Sequence, residues 1–84
     1  MSYLIKWNDK AQKFLEKLPK ETSMRIIDKL DKVKEDPFHF LEHYESAEVY
    51  KLRVGDYRLL IDVDFSNKIL KIRVLDHRSR VYER

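Results

Sequence analysis

A chain of 84 residues has room for one domain with one modest core and not for two, and 39% charged with 43% hydrophobic residues is a mixture that buries such a core. With no cysteine, neither a disulfide framework nor a thiolate metal site is available, and without a signal-peptide pattern or a run of about eighteen apolar residues the protein is expected to be soluble and cytoplasmic, with no membrane contact. The net charge of +3 is unevenly placed: residues 1–48 carry nine Lys/Arg against ten Asp/Glu, residues 49–84 nine against five.

Tyr3 to Trp7 is rich in β-formers and reads as a first strand. Asn8 or Asp9 can cap a helix in which Ala11, Phe14, Leu15 and Leu18 share one face, and Pro19 ends that helix or opens the next. The second helix runs to about Glu35, with Ile26, Ile27, Leu30 and Val33 toward the core, and Asp36 before Pro37 closes it. Both helices are assigned a packing role and no chemistry.

Pro37 to Glu48 has no sustained period and is expected to be a connecting loop with room for a helical turn. It contains His39-Phe40-Leu41-Glu42-His43, literally an H-x-x-E-H zinc motif, in which two His one helical turn apart bind metal. The motif starts two residues after a proline and has too little helix to hold its ligands. It is therefore read as loop histidines, with Phe40 and Leu41 covering the core edge and no metal bound.

Three strands account for the rest: Val49 to Val54, Tyr57 to Val63 and Lys68 to Leu75. Gly55-Asp56 suits a two-residue type II′ hairpin, which sets Val54 opposite Tyr57, Arg53 opposite Arg58 and Leu52 opposite Leu59. A four-residue turn over Asp64 to Asn67 would set Val63 against Lys68 and Arg58 against Arg73. One face would then carry Tyr50, Leu52, Val54, Tyr57, Leu59, Ile61, Val63, Leu70, Ile72 and Val74 as core. The expected fold class is α+β: an N-terminal strand, a two-helix hairpin, then a three-stranded antiparallel meander with the helices packed on one sheet face.

The opposite face would hold a row of Arg53, Arg58 and Arg73, with Lys51 and Lys71 beside it. Like charges directly opposite each other on a sheet cost roughly 0.2–1 kcal/mol per pair, so such a row suggests use. The bland alternative is a solvated outer face whose repulsion is screened by salt. The tail, Asp76 to Arg84, adds Arg78, Arg80, Arg84, His77 and Tyr82. Arginine forks onto phosphate, so the bias points to a polyanionic partner.

Ala11-x-x-Phe14-Leu15-x-x-Leu18-Pro19, Val49-Tyr50-Lys51-Leu52-Arg53-Val54-Gly55-Asp56-Tyr57-Arg58-Leu59-Leu60 and His77-Arg78-Ser79-Arg80-Val81-Tyr82 together resemble the RelE/ParE toxin superfamily of toxin-antitoxin systems, over nearly the whole chain. In the RelE branch the resemblance implies cleavage of messenger RNA at the ribosome. It also implies neutralisation by a cognate RelB-like antitoxin in a hetero-oligomeric complex. The matching positions are Lys51, Arg53, Arg58, Arg78 and Tyr82, with Lys71, Arg73, His77 and Arg80 as further RNA-binding candidates.

The implied reaction is attack of a ribose 2′-OH on the adjacent phosphate, with a base for the hydroxyl, cations for the developing charge and an acid for the leaving 5′-oxygen. It requires no metal or cofactor. Arg53, Arg58 and Arg73 would hold the phosphate, Arg78 would assist, and Lys51 or Tyr82 would take the proton. Arg53 stands where the family often has a second Lys, and Leu75-Asp76 and Ser79-Arg80 depart from the usual tail. A ParE-like DNA gyrase inhibitor and a non-catalytic RNA- or protein-binding module are the competing readings.

Overall fold

The computed structural model describes residues 2–43, 49–77 and 79. Its elements are β1 (Leu4–Trp7), α1 (Asp9–Lys17), α2 (Lys20–Val33), α3 (Pro37–Phe40), β2 (Glu42–His43), β3 (Val49–Val54), β4 (Tyr57–Asp64) and β5 (Ile69–His77). The expected α+β architecture is present: the connecting segment holds the helical turn allowed for it, α3, and adds a short strand, β2, so that the sheet has five strands in the order β1-β5-β4-β3-β2. The first strand pairs in parallel with the last, Leu4 opposite Ile69 and Trp7 opposite Ile72.

Local chemistry explains the helix limits. Asn8 caps α1, its side-chain oxygen accepting from the backbone N–H groups of Lys10 at 2.9 Å and Ala11 at 3.4 Å. Leu18, the residue before Pro19, is extended, as proline demands of its predecessor, so α1 stops there and Pro19 starts α2. Asp36 before Pro37 is likewise non-helical and separates α2 from α3.

Ala11, Ile26, Leu30 and Val33 from the helices meet Leu52, Val54, Leu59, Ile61, Val63, Leu70, Ile72 and Leu75 from the sheet in one buried core. α1 lies on β5, and α2 lies beside β3 and α3.

The β3–β4 hairpin has the expected register, from Val54 opposite Tyr57 through Arg53 opposite Arg58 to Tyr50 opposite Ile61. Gly55 has φ 59°, and Asp56 is not among the residues at positive φ, which fits type II′ and excludes type I′.

The β4–β5 hairpin departs from expectation twice. The turn is four residues long but sits one residue later, with Asp64 opposite Ile69. Asp64 is drawn into the strand end because its carboxylate accepts from the Asn67 side chain at 2.9 Å and the Asn67 backbone at 3.0 Å. Those bonds, the side-chain one foremost, hold the Asp64 carboxyl below its ordinary range. Lys68 closes the turn at φ 57°, and its ammonium lies 5.7 Å from the centroid of the Tyr3 ring.

The second departure is a bulge. Ile61 faces Ile72 but Leu60 faces Val74, so Arg73 is an extra residue in β5. Every later residue of β5 therefore changes face. Val74, expected in the core, is 37% exposed, whereas Leu75 is 3% exposed and takes its place. The predicted row of Arg53, Arg58 and Arg73 does not form, because Arg58 faces Asp76 instead.

Candidate nucleic-acid interface

The outer sheet face is built from residues that alternate with the core positions. Arg53 and Arg58 are directly paired across β3 and β4, and Lys51 lies two residues before Arg53 on the same side. The bulge then sets an acid, Asp76, on the far side of Arg58. Opposite charges across a sheet are favourable, so the bulge offsets the Arg53–Arg58 repulsion. Arg58 is only 8% exposed, unusual for a cation on an outer face, and its guanidinium is held where it has little freedom.

β2 pairs only with Tyr50 and Lys51, so among the described residues no strand covers the edge of β3 beyond Lys51. At that corner lies a pocket of about 430 Å³ lined by Lys29, His39, Glu42, Lys51, Arg53 and Arg58, with Phe40 at its wall. Lys51 Nζ is 3.7 Å from Glu42 Oε1, a carboxylate mostly open to solvent. The Lys29 ammonium lies 5.0 Å from the centroid of the Phe40 ring, a cation–π contact that ties this lysine to the pocket wall.

Lys71 and Arg73 are placed elsewhere. With Lys6 they line a wider hollow of about 730 Å³ by the β4–β5 turn, where Asp62 and Asp64 answer their charge. Arg73 Nε is 3.4 Å from Asp62 Oδ2. His77 ends β5 opposite Tyr57, on the helix-covered side, with the two rings edge to face at 5.7 Å. Its Nδ1 accepts from the Ser79 backbone at 3.4 Å and lies 3.1 Å from Ser79 Oγ. Lys51, Arg53 and Arg58 are thus brought together, whereas Lys71, Arg73 and His77 are not with them. Arg78, Arg80 and Tyr82 lie outside the described residues.

The zinc motif is not realised in space. His39 belongs to the four-residue α3, but Glu42 and His43 are in strand β2, so the two histidines are not one helical turn apart. Among the described residues no group of three or more His, Asp or Glu could hold a metal ion, and no helix is long and apolar enough to cross a membrane.

A family model described as the ParE toxin of the type II toxin-antitoxin system, parDE, matches residues 5–82. The chain belongs to the RelE/ParE toxin superfamily. Its fold is similar to a chain of the archaeal RelE–RelB complex from Pyrococcus horikoshii, with TM-score 0.82 and 30% identity over 95% of this chain and 99% of that one. The RelBE2 toxin-antitoxin complex of Mycobacterium tuberculosis gives TM-score 0.81 at 25% identity, over 93% and 100% of the two chains. The intact Escherichia coli RelBE complex gives 0.80 at 20% identity, over 90% and 96%, a likeness of fold alone. No curated protein sequence matches the chain.

This type II toxin therefore shares its fold with toxins that were captured with RelB antitoxins. Lys29, which the sequence gives no chemistry, and His39 and Glu42, which it marks only in a zinc motif, also line the pocket of the toxin. Lys29 looks like any other solvent-facing helix lysine, and His39 sits in a segment whose path is not legible before α3 and β2 are placed.

Proposed function

We propose that this toxin is a ribosome-dependent endoribonuclease that cuts messenger RNA by metal-independent attack of a 2′-OH on the adjacent phosphate. The observation that carries the reading is the convergence of Lys51, Arg53 and a nearly buried Arg58 on one pocket. Arg53 and Arg58, cations fixed before substrate arrives, need little reorganisation when charge develops on phosphorus, which is where electrostatic catalysis is strongest.

In the reaction the 2′-oxygen bonds to phosphorus as its proton passes to the neutral amine form of Lys51 or the phenolate form of Tyr82. The P–O5′ bond breaks, and the 5′-oxygen leaves with a proton supplied by Arg78 through a bound water. The products are a 2′,3′-cyclic phosphate and a 5′-hydroxyl. Arg53 and Arg58 carry the charge on the phosphoryl oxygens, and Lys71, Arg73, His77 and Arg80 contact the flanking RNA. The 84 residues act as a single toxin domain in the cytoplasm, and a RelB-like antitoxin neutralises it in a hetero-oligomer. Support for that partner comes from the RelB-bound state of the similar structures.

Purified toxin incubated with programmed ribosomes in EDTA is expected to cut messenger RNA, and Lys51→Ala or Tyr82→Phe to abolish the cut. Intact RNA beside a working positive control would refute the nuclease. The matching ParE family model favours a second reading, inhibition of DNA gyrase, which needs no base. Gyrase poisoning that survives replacement of both Lys51 and Tyr82 would establish it instead.

A further inference from the structure

The corner pocket holds more basic groups than one phosphate uses. Lys29, Lys51, Arg53 and Arg58 are four basic side chains with His39 beside them; Glu42 answers Lys51 from the lining and Asp76 faces Arg58 from β5, which leaves Lys29 and Arg53 in excess. A phosphodiester carries a single negative charge. The pocket volume of about 430 Å³ equals roughly a dozen waters, more than one phosphate group fills.

The cations also come from two layers. Lys51, Arg53 and Arg58 belong to the sheet, whereas Lys29 comes from α2 and His39 from α3. Lys29 and Arg53 also line the neighbouring hollow along α2 with Arg25 and Lys32, against Glu21 and Asp28, so basic side chains outnumber acids past the sheet edge toward the helices.

We propose that Lys29 and His39 form a second phosphate subsite, which holds the RNA phosphate next to the one that is cut, and that Glu42 competes with RNA for Lys51. The inference rests on the RNA reading above and names where a second nucleotide of the same strand lies. The phosphate entering from the β3 edge meets the Lys29 ammonium, already set over Phe40, and the His39 ring, which stands edge-on to Phe40 at 4.7 Å. Phe40 thus positions both groups from one ring. The Glu42 carboxylate, 3.7 Å from Lys51 Nζ, must give up that contact when phosphate binds there.

The test is binding of the full-length toxin to a fluorescent 2′-O-methyl oligoribonucleotide, which has no free 2′-OH to attack, across a series of salt concentrations. Lys29→Gln, which keeps most of the stem over Phe40, and His39→Ala are each expected to weaken binding about tenfold. Lys29→Gln should also lower the slope of log affinity against log salt by about 0.7, the signature of one lost phosphate contact on a single strand. Glu42→Gln should tighten binding. Thermal melting of each variant checks that the fold is retained.

If Lys29→Gln and His39→Ala leave affinity and salt slope unchanged while Arg53→Ala weakens binding, the subsite is wrong and the RNA reading stands. If the unmodified toxin does not bind, or Arg53→Ala also changes nothing, the subsite falls, and the nuclease reading is decided by the cleavage of messenger RNA on programmed ribosomes.

Discussion

Arg58 shows how one side chain can serve both the fold and the site. It faces a like charge, Arg53, on one side and an acid, Asp76, on the other, and it is almost sealed from solvent. Such a guanidinium is ready-aimed, so Arg58→Ala is expected to reduce ribosome-dependent cleavage by about 10²–10³-fold. Arg58→Lys should restore only part of it, because an ammonium cannot reproduce the planar fork. Single-turnover cleavage of a defined message measures both, and wild-type rates in Arg58→Ala would remove this residue from the chemistry. Lys51, Arg53 and Arg58 were legible as a group because Gly55-Asp56 left one choice of turn and the period of two did the rest. Arg73 was not, since its neighbours depend on a bulge, and His77, read only as part of the tail, takes its place opposite Tyr57 from the same shift.

Among the elements, the meander separates what alternation can decide from what it cannot. β3 alternates cleanly, and its register follows from its turn. In β4 and β5, by contrast, Leu59-Leu60-Ile61 and Val74-Leu75 put apolar residues side by side, so the pattern accepts more than one register. Packing selects the one in which Leu75 rather than Val74 enters the core, and the bulge at Arg73 makes the adjustment. Leu75→Ala should therefore cost about 2–5 kcal/mol, as truncation in a packed core does. Val74→Ala should stay within about 0.5 kcal/mol, as is usual for exposed positions. Chemical denaturation compares them, and equal losses would mean the register is misread. α3 and β2 were hidden for a different reason: four and two residues are too short to show any period.

Across the whole molecule, the resemblance carried by three stretches of sequence and the family match over residues 5–82 agree. Physics supplied the faces and the pocket, whereas the superfamily came from motif and fold likeness. A type II toxin is defined by its partner, so inducing this gene alone should arrest growth, and co-expression of its cognate antitoxin should restore it. Colony counts with and without the partner decide this, and unimpaired growth on solo expression of the folded protein would count against the nuclease and the gyrase reading alike.

The pairing of β1 with β5 bears on the order of events in synthesis. Leu4 waits for Ile69, and Trp7 for Ile72, so the first strand made has no neighbour until almost the last has been added. Contacts so far apart in sequence form slowly and late. A nascent chain that stops before β5 leaves β1 unpaired, α1 without the strand it packs on, and Arg58 without Asp76 across from it. The connectivity thus makes completion of the sheet, and of the acid that faces Arg58, wait for β5.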